Sequence, residues 1–303
     1  MTVTVKDNLH LHFLVILWGF TAILGLLISV PAVELVFLRT LVASLGLLLI
    51  LNFRKTSLNV GKRNRISYLG TGIIIAVHWM LFFGSARLST ASVCLAGMAT
   101  TSFWTSLLEP LSKKRRPEML EVFLGLLVIL GLYLIFRFEF NHALGLVLAL
   151  ASAFLAATFT VINSRLSHTG SEYVISFYEL TGACLFTLMY LLISYMFWEG
   201  NHVSNIHPTT MDWIYIFILA LACTVYPFTA SIELMKRLSA FTVNLTINLE
   251  PVYGIVLAVI IFGDREKMSS GFYGGAILIL ISVIFYPIIK KWQHKRRLRL
   301  KSL

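Results

Sequence analysis

Ten stretches of mainly apolar residues alternate along the chain with short polar or charged breaks. They start near Leu9, Glu34, Ile66, Ser89, Glu118, Ala143, Tyr173, Met211, Ala240 and Ser270. A helix needs ~20 apolar residues to cross a hydrocarbon core about 30 Å thick, and these stretches are candidates for that length. The pattern predicts an all-α polytopic membrane protein of ten transmembrane helices, with little chain left for a soluble domain. The first stretch, residues 9–30, exceeds the apolar core of a typical signal peptide. Only Lys6 precedes it and no small-residue cleavage site stands out, so it reads as a retained first helix.

Charge between the stretches sets the expected topology. Twenty of the twenty-five Lys and Arg residues lie before the first span, after an even-numbered span or in the C-terminal tail. The densest groups are Arg54, Lys55, Lys62, Arg63 and Arg65, then Lys113, Lys114, Arg115 and Arg116. The opposite side holds Arg87, Arg137, Arg265 and Lys267, and Arg39 lies inside the second span. Basic loops are retained in the cytoplasm. Both termini are therefore expected there, in a multi-pass protein of the cytoplasmic (inner) membrane.

Composition agrees: 58% hydrophobic residues, 13% charged residues and a mean hydropathy of +0.84 make the bilayer the main solvent. The net charge of +11 is mostly the loop bias plus the tail from Lys290 to Lys301. That tail is expected to meet anionic lipid headgroups, at about 1 kcal/mol per basic residue near the surface, rather than nucleic acid. Cys94, Cys184 and Cys223 fall inside apolar spans with neither zinc-site nor disulfide spacing, and are assigned to packing.

Sliding the chain on itself by 149 residues aligns residues 66–136 with 215–285 without a gap. Identities are sparse, among them Ala91 with Ala240, Phe123 with Phe272 and Gly125 with Gly274, but helix ends and the charged turns at 113–118 and 263–267 fall in register. Five spans per half, an odd number, put the second half into the bilayer upside down relative to the first. The turn Lys113–Arg116 is basic, whereas residues 263–267 carry no net charge. Such inverted repeats are common in secondary transporters, with the substrate site near the midplane where the halves meet.

Leu249-Glu250-Pro251-Val252-Tyr253, Ile261-Phe262-Gly263-Asp264, the helix with Gly271, Gly274 and Gly275, Trp18-Gly19-Phe20 and Phe37-Leu38-Arg39 carry a resemblance to a known family. Through them the whole chain resembles the drug/metabolite transporter superfamily, specifically the ten-helix carriers built from two EamA-type repeats. It departs in Asp264, where the family usually has Glu, and in Arg115 and Arg116 of the first repeat. The resemblance implies repeats at 1–139 and 140–289 and a basic tail at 290–303. It also implies export or exchange of small polar metabolites, often amino acids, through a cavity lined by helices one to four and six to nine.

An ionisable side chain deep in the bilayer costs at least ~2.5–3.5 kcal/mol on insertion scales, so each one needs a partner, a wet cavity or neutralisation. Glu250 lies about 15 Å into the ninth span and His78 about 18 Å into the third, at ~1.5 Å per residue. Pro251 removes a backbone donor beside Glu250 and frees acceptors about Ile247. Asn244 and Asn248 precede Glu250 at i−6 and i−2, so Asn248 is off its face and Asn244 only partly shares it, and contacts to neighbouring helices are the other reading for them. His78, beside Trp79, serves proton coupling, substrate hydrogen bonding or packing. Arg39 either binds a carboxylate, pairs structurally or snorkels outward with Glu34. Glu179 is its counterpart under a 140-residue offset, and a structural role is the reading for it too. Trp18, Trp104, Tyr226 and Tyr253 are mid-depth aromatics that line a cavity or pack. Thr101, opposite Glu250 under the repeat, sits in a hydroxyl-rich centre of the fourth span. Pro227 predicts a kink and a hinge in the eighth. Register keeps Glu109 from being a twin of Glu250 and places it at a helix end near Lys113 and Arg116.

The leading functional expectation is a secondary carrier for a small-molecule substrate, working by alternating access. Glu250 would bind an ammonium or a proton, and His78 or Arg39 an anionic group. An intramembrane enzyme acting on a lipid-linked substrate is the alternative, but the chain shows no convincing catalytic carboxylate pair, no nucleophile with a matching His and no His-Glu-x-x-His metal helix. No Walker loop is present, and no cofactor is expected. A channel and a homodimer both remain open.

Overall fold

The computed structural model describes residues 4–116, 118–138, 140–197, 207–266 and 268–301, and no strand occurs among them. The first three helices are α1 (Val5–Leu27), α2 (Ala32–Phe53) and α3 (Lys62–Leu88). The fourth span is two half-helices, α4 (Ala91–Met98) and α5 (Thr101–Ser112), followed by α6 (Met119–Phe138), α7 (Ala143–Leu166) and α8 (Glu172–Phe197). The eighth span joins α9 (Thr210–Phe217) to α10 (Tyr226–Leu234) through a π-helical segment, Ile218–Val225. The ninth is again split, into α11 (Ala240–Ile247) and α12 (Glu250–Phe262), and α13 (Ser270–Lys301) is the last helix.

Eight spans are long and apolar enough to cross a membrane. α6 and α13 complete the ten with shorter apolar stretches, Met119–Gly131 and Ser270–Ser282. α13 continues as helix through residue 301, while most side chains of the basic tail lie outside the described residues. Residue chemistry explains several helix starts. Thr4 and Thr209 open α1 and α9 with reciprocal capping boxes to Asp7 and Asp212, and Thr90 and Ser239 cap α4 and α11.

The repeat is visible in backbone detail. The fourth span breaks at Ala99–Thr100 and the ninth at Asn248–Leu249, positions one 149-residue offset apart. Different chemistry makes the same break. In the ninth span Pro251 has no N–H to give the Ile247 carbonyl. In the fourth, Thr100 and Thr101 turn their hydroxyls back onto the Gly97 and Met98 carbonyls, at 2.8 and 2.6 Å. The turns after these spans also match: Lys114 (φ 52°) and Gly263 (φ 58°), again one offset apart, both have positive φ.

The broken spans cross each other twice. On the side of the basic loops α11 is hydrogen-bonded to α5, Asn244 to Thr105 at 2.7 Å and Asn248 to Ser102 at 2.6 Å. In the other crossing, α4 with α12, Leu95 meets Gly254, and there the contact is apolar. Glu109 pairs with Lys113 at 2.6 Å, and its other oxygen accepts the Phe241 N–H at 2.7 Å, tying the end of α5 to the start of α11. Hydrogen bonds to a charged group are worth about 1.5–3 kcal/mol, and exposed ion pairs less than ~1 kcal/mol. Glu109→Ala should therefore lower the thermal unfolding temperature of the purified protein clearly more than Lys113→Ala does. α6 and α13 pack on one another where Gly131 faces the Gly275 carbonyl, and no described residue of either lines the central cavity.

Candidate functional site

A cavity of about 80 Å³ opens between the two halves. At the ~10–15 Å³ that one water requires, this is room for several waters. Of the eleven candidate residues, it brings together Trp18 on α1, Arg39 on α2, His78 and Trp79 on α3, Thr101 on α5, Asn244 on α11 and Glu250 on α12. Spans one to four, six, eight and nine supply the described lining, and the seventh does not.

Arg39 is only 1% exposed, which overturns the snorkelling reading. Its Nε donates to the Thr224 hydroxyl at 2.7 Å, and its guanidinium carbon lies 4.0 Å from the centre of the Trp79 ring. Its Nη1 is buried without a hydrogen-bond partner among the described residues. Thr224 belongs to the π-helical segment, where its own hydroxyl donates to the Leu219 carbonyl five residues back at 2.6 Å. The irregularity expected at Pro227 takes this form. Proline withholds one donor, the preceding turns widen, and the widened turn carries the hydroxyl that holds Arg39.

Glu250 occupies the first turn of α12, 7% exposed, at the break that Pro251 imposes. Arg39 is the charged group whose field reaches it, yet the two form no ion pair among the described residues. Thr101 starts α5 at the symmetry-related place, so both half-helix starts face the cavity.

His78 is tied to α7. Its Nδ1 lies 3.0 Å from the Ser152 carbonyl and 2.8 Å from the Ser152 hydroxyl, which itself donates to the His78 carbonyl at 2.9 Å. A ring nitrogen facing a carbonyl must be the donor, so a neutral ring in this orientation carries its proton on Nδ1 and leaves Nε2 as an acceptor.

Four candidates lie off the cavity. Asn248 donates to Ser102 and holds the α5–α11 crossing; this contact to a neighbouring helix was its alternative reading. Trp104 packs edge-on against Phe103 and Phe154. Tyr253 packs where α12 meets Gly19 of α1. Tyr226 is 43% exposed and bonds His10 at 2.9 Å on the outer surface. The wide turns of the π-helical segment just before Tyr226 rotate it away from the face that a regular helix would present.

The lining also includes Thr21, Phe82, Phe159, Thr160, Asn163 and Phe228, which were not singled out from the sequence. A signal existed for the sixth span: Ala149, Ser152, Ala153, Ala156, Ala157 and Thr160 form a helical stripe of small residues of the kind that faces other helices. The cavity reaches Met235, beside Lys236 and Arg237, at the end that carries the basic loops. At the other end it stops at Phe82, a turn and a half before α3 finishes.

Polar ties hold both ends. Arg237 meets Asp7 at 2.8 Å and Glu233 at 3.2 Å, and Lys236 meets Glu172 at 3.0 Å. The Asp7 bond raises the Arg237 guanidinium above its ordinary pKa. At the far end Asp212 accepts both the N–H and the hydroxyl of Ser29 at 2.7 Å, and Arg87 donates to the carbonyls of Gly25, Ile28 and Val30.

Ten spans in two inverted halves, two broken spans crossing each other and buried charges around a cavity between the halves define a membrane transporter of small solutes. The EamA-like transporter family model matches residues 9–137 and 143–286, and the chain belongs to that family. A solved structure, titled only as the crystal structure of a protein, has a TM-score of 0.67 and 18% identity, covering 92% of this chain and 95% of that one. At that identity the likeness shows the fold alone. No curated protein matches.

Proposed function

We propose that this transporter exports or exchanges small amino acids or related zwitterions across the cytoplasmic membrane by alternating access. Arg39 receives the carboxylate and Glu250 the ammonium. The observation that carries this reading is the unpartnered Nη1 of Arg39, a permanent cation that shares a cavity with Glu250 but forms no ion pair with it. An uncompensated charge at this depth is costly, and a ligand carboxylate would complete it. Trp79, Phe82, Met98, Phe159 and Phe228 offer apolar walls to the rest of the solute. The half-helix starts at Thr101 and Glu250 are natural hinge points for rocking the halves. Because basic loops are retained inside, the end where the cavity reaches Met235 is read as the cytoplasmic one.

Competition for exchange in proteoliposomes tests the assignment. A free amino acid should compete. Its methyl ester, lacking the carboxylate, and its N-acetyl derivative, lacking the ammonium, should each be weaker by tenfold or more, a difference of about 1.4 kcal/mol. Equal competition by the ester would remove Arg39 from the binding role. Equal competition by the acetylated compound would remove Glu250.

A further inference from the structure

We infer that Glu179 and Asn163 form a proton-binding site, separate from the two cavity charges, that couples transport to the proton gradient. The coupling half of this inference rests on the transporter reading above; the site itself does not. Glu179 is fully buried in α8, about 10 Å from the start of that helix at ~1.5 Å per residue. Its Oε2 accepts from the Asn163 side-chain amide at 3.2 Å. Among the described residues its Oε1 has no hydrogen-bond partner, and neither has the Asn163 carbonyl oxygen Oδ1.

Among the described residues, the elements packed on α8 bring no counter-charge. From α3, the backbone at Gly72 meets the Glu179 carbonyl, and Tyr68 stacks on the neighbouring Tyr178, over which Arg65 also lies. From α2, Arg54 lies over Tyr173, while Arg39 is turned to Thr224 and Trp79. Beyond α10, Lys236 binds Glu172 at the start of α8. On α7, Asn163 is the partner and Arg165 is exposed. None of the ion pairs among the described residues includes Glu179.

Two buried acceptors on hydrogen-bonded side chains lack a donor among the described residues, and a proton on the carboxyl supplies one. Hard metal ions such as calcium take about six to eight oxygen ligands, more than this pair offers. Asn163 also lines the cavity, so the site communicates with it directly. When Glu179 is ionised, the Asn163 amide N–H is drawn to it. When Glu179 is protonated, it has a hydrogen to give and the amide is free to present a different group to the solute. The inverted repeat adds a second reason. α2 and α8 start 140 residues apart, at Ala32 and Glu172, and the same offset relates Arg39 to Glu179. The two halves thus hold, at matching positions, a permanent cation beside the cavity and a titratable acid behind it.

Infrared difference spectroscopy of the purified protein across a pH series reads the site without any solute. A carboxylic-acid carbonyl band should titrate, vanish in Glu179→Gln, shift in Asn163→Leu and persist in Glu250→Gln. In proteoliposomes Glu179→Gln should keep solute exchange at equal pH but lose accumulation driven by a pH gradient by about tenfold or more, within the usual range of a coupling free energy. If Glu179→Gln fails to fold, the shift in Asn163→Leu carries the spectroscopic test. A band that survives in Glu179→Gln, one unshifted in Asn163→Leu, or pH-driven accumulation equal to wild type would overturn the inference. Accumulation driven by a sodium gradient instead would do so as well. If wild type exchanges no solute at all, the transporter reading of the cavity fails, and the infrared titration still decides whether Glu179 binds the proton.

Discussion

Arg39→Gln, reconstituted at the wild-type level, should lose saturable exchange of a carboxylate-bearing solute by about a hundredfold or more. Truncating one side of a buried, hydrogen-bonded charge pair costs about 2–5 kcal/mol, and ~2.7 kcal/mol is already a hundredfold. Arg39→Lys should recover only part of the loss. Lysine keeps the cation, but it has no planar fork to bond Thr224 and a carboxylate together, and it cannot stack in the same way on the Trp79 ring. The thermal stability of both variants separates binding from folding. Near-wild-type exchange by a folded Arg39→Gln protein would make this arginine a packing post between α2 and the π-helical segment.

Gly72→Leu should abolish recovery of folded protein. A Cβ at Gly72 would overlap the carbonyl oxygen of Glu179 and come within 2.8 Å of the Ala183 N, both backbone atoms of α8. The approach is reciprocal: a Cβ at Gly182 of α8 would overlap the Leu69 carbonyl oxygen and lie 2.9 Å from its Cα. Backbone cannot turn aside as a side chain can, so the helices would have to separate along their whole contact. The ~1–3 kcal/mol usual for overpacking is a lower bound here. Gly70→Ala, two residues away and facing open space, provides the control. It should leave folding intact and add roughly 0.5–1 kcal/mol of helix preference. Size-exclusion profiles and unfolding temperatures in detergent check both.

The sequence carried the architecture because a bilayer imposes it locally. Each span had to be apolar over its own length, and the basic loops had to fall on one side. The 149-residue offset, weak in identities, was supported by helix ends and charged turns in register, and the backbone then matched it at Ala99 and Asn248 and at Lys114 and Gly263. The position of a residue along its span was legible, but its facing was not. Arg39 turns inward because a π-helical hydroxyl 185 residues away receives it, and Tyr226 turns outward just beyond that same segment. Glu109 was readable as a helix-end partner of Lys113, whereas its bond to the Phe241 N–H joins positions 132 residues apart that no local pattern connects. Asn163 and Thr160 escaped notice because uncharged polar residues are common in spans. What sets them apart is the cavity beside them, a property of the assembled halves.

Counterflow in proteoliposomes preloaded with a panel of amino acids and nucleobases is the most direct test of a carrier with alternating access. The account predicts that internal unlabelled amino acid accelerates uptake of labelled solute, that uptake saturates, and that Arg39→Gln and Glu250→Gln remove it. Uptake that rises linearly with concentration, indifferent to what the vesicles contain, would contradict a carrier and describe a channel.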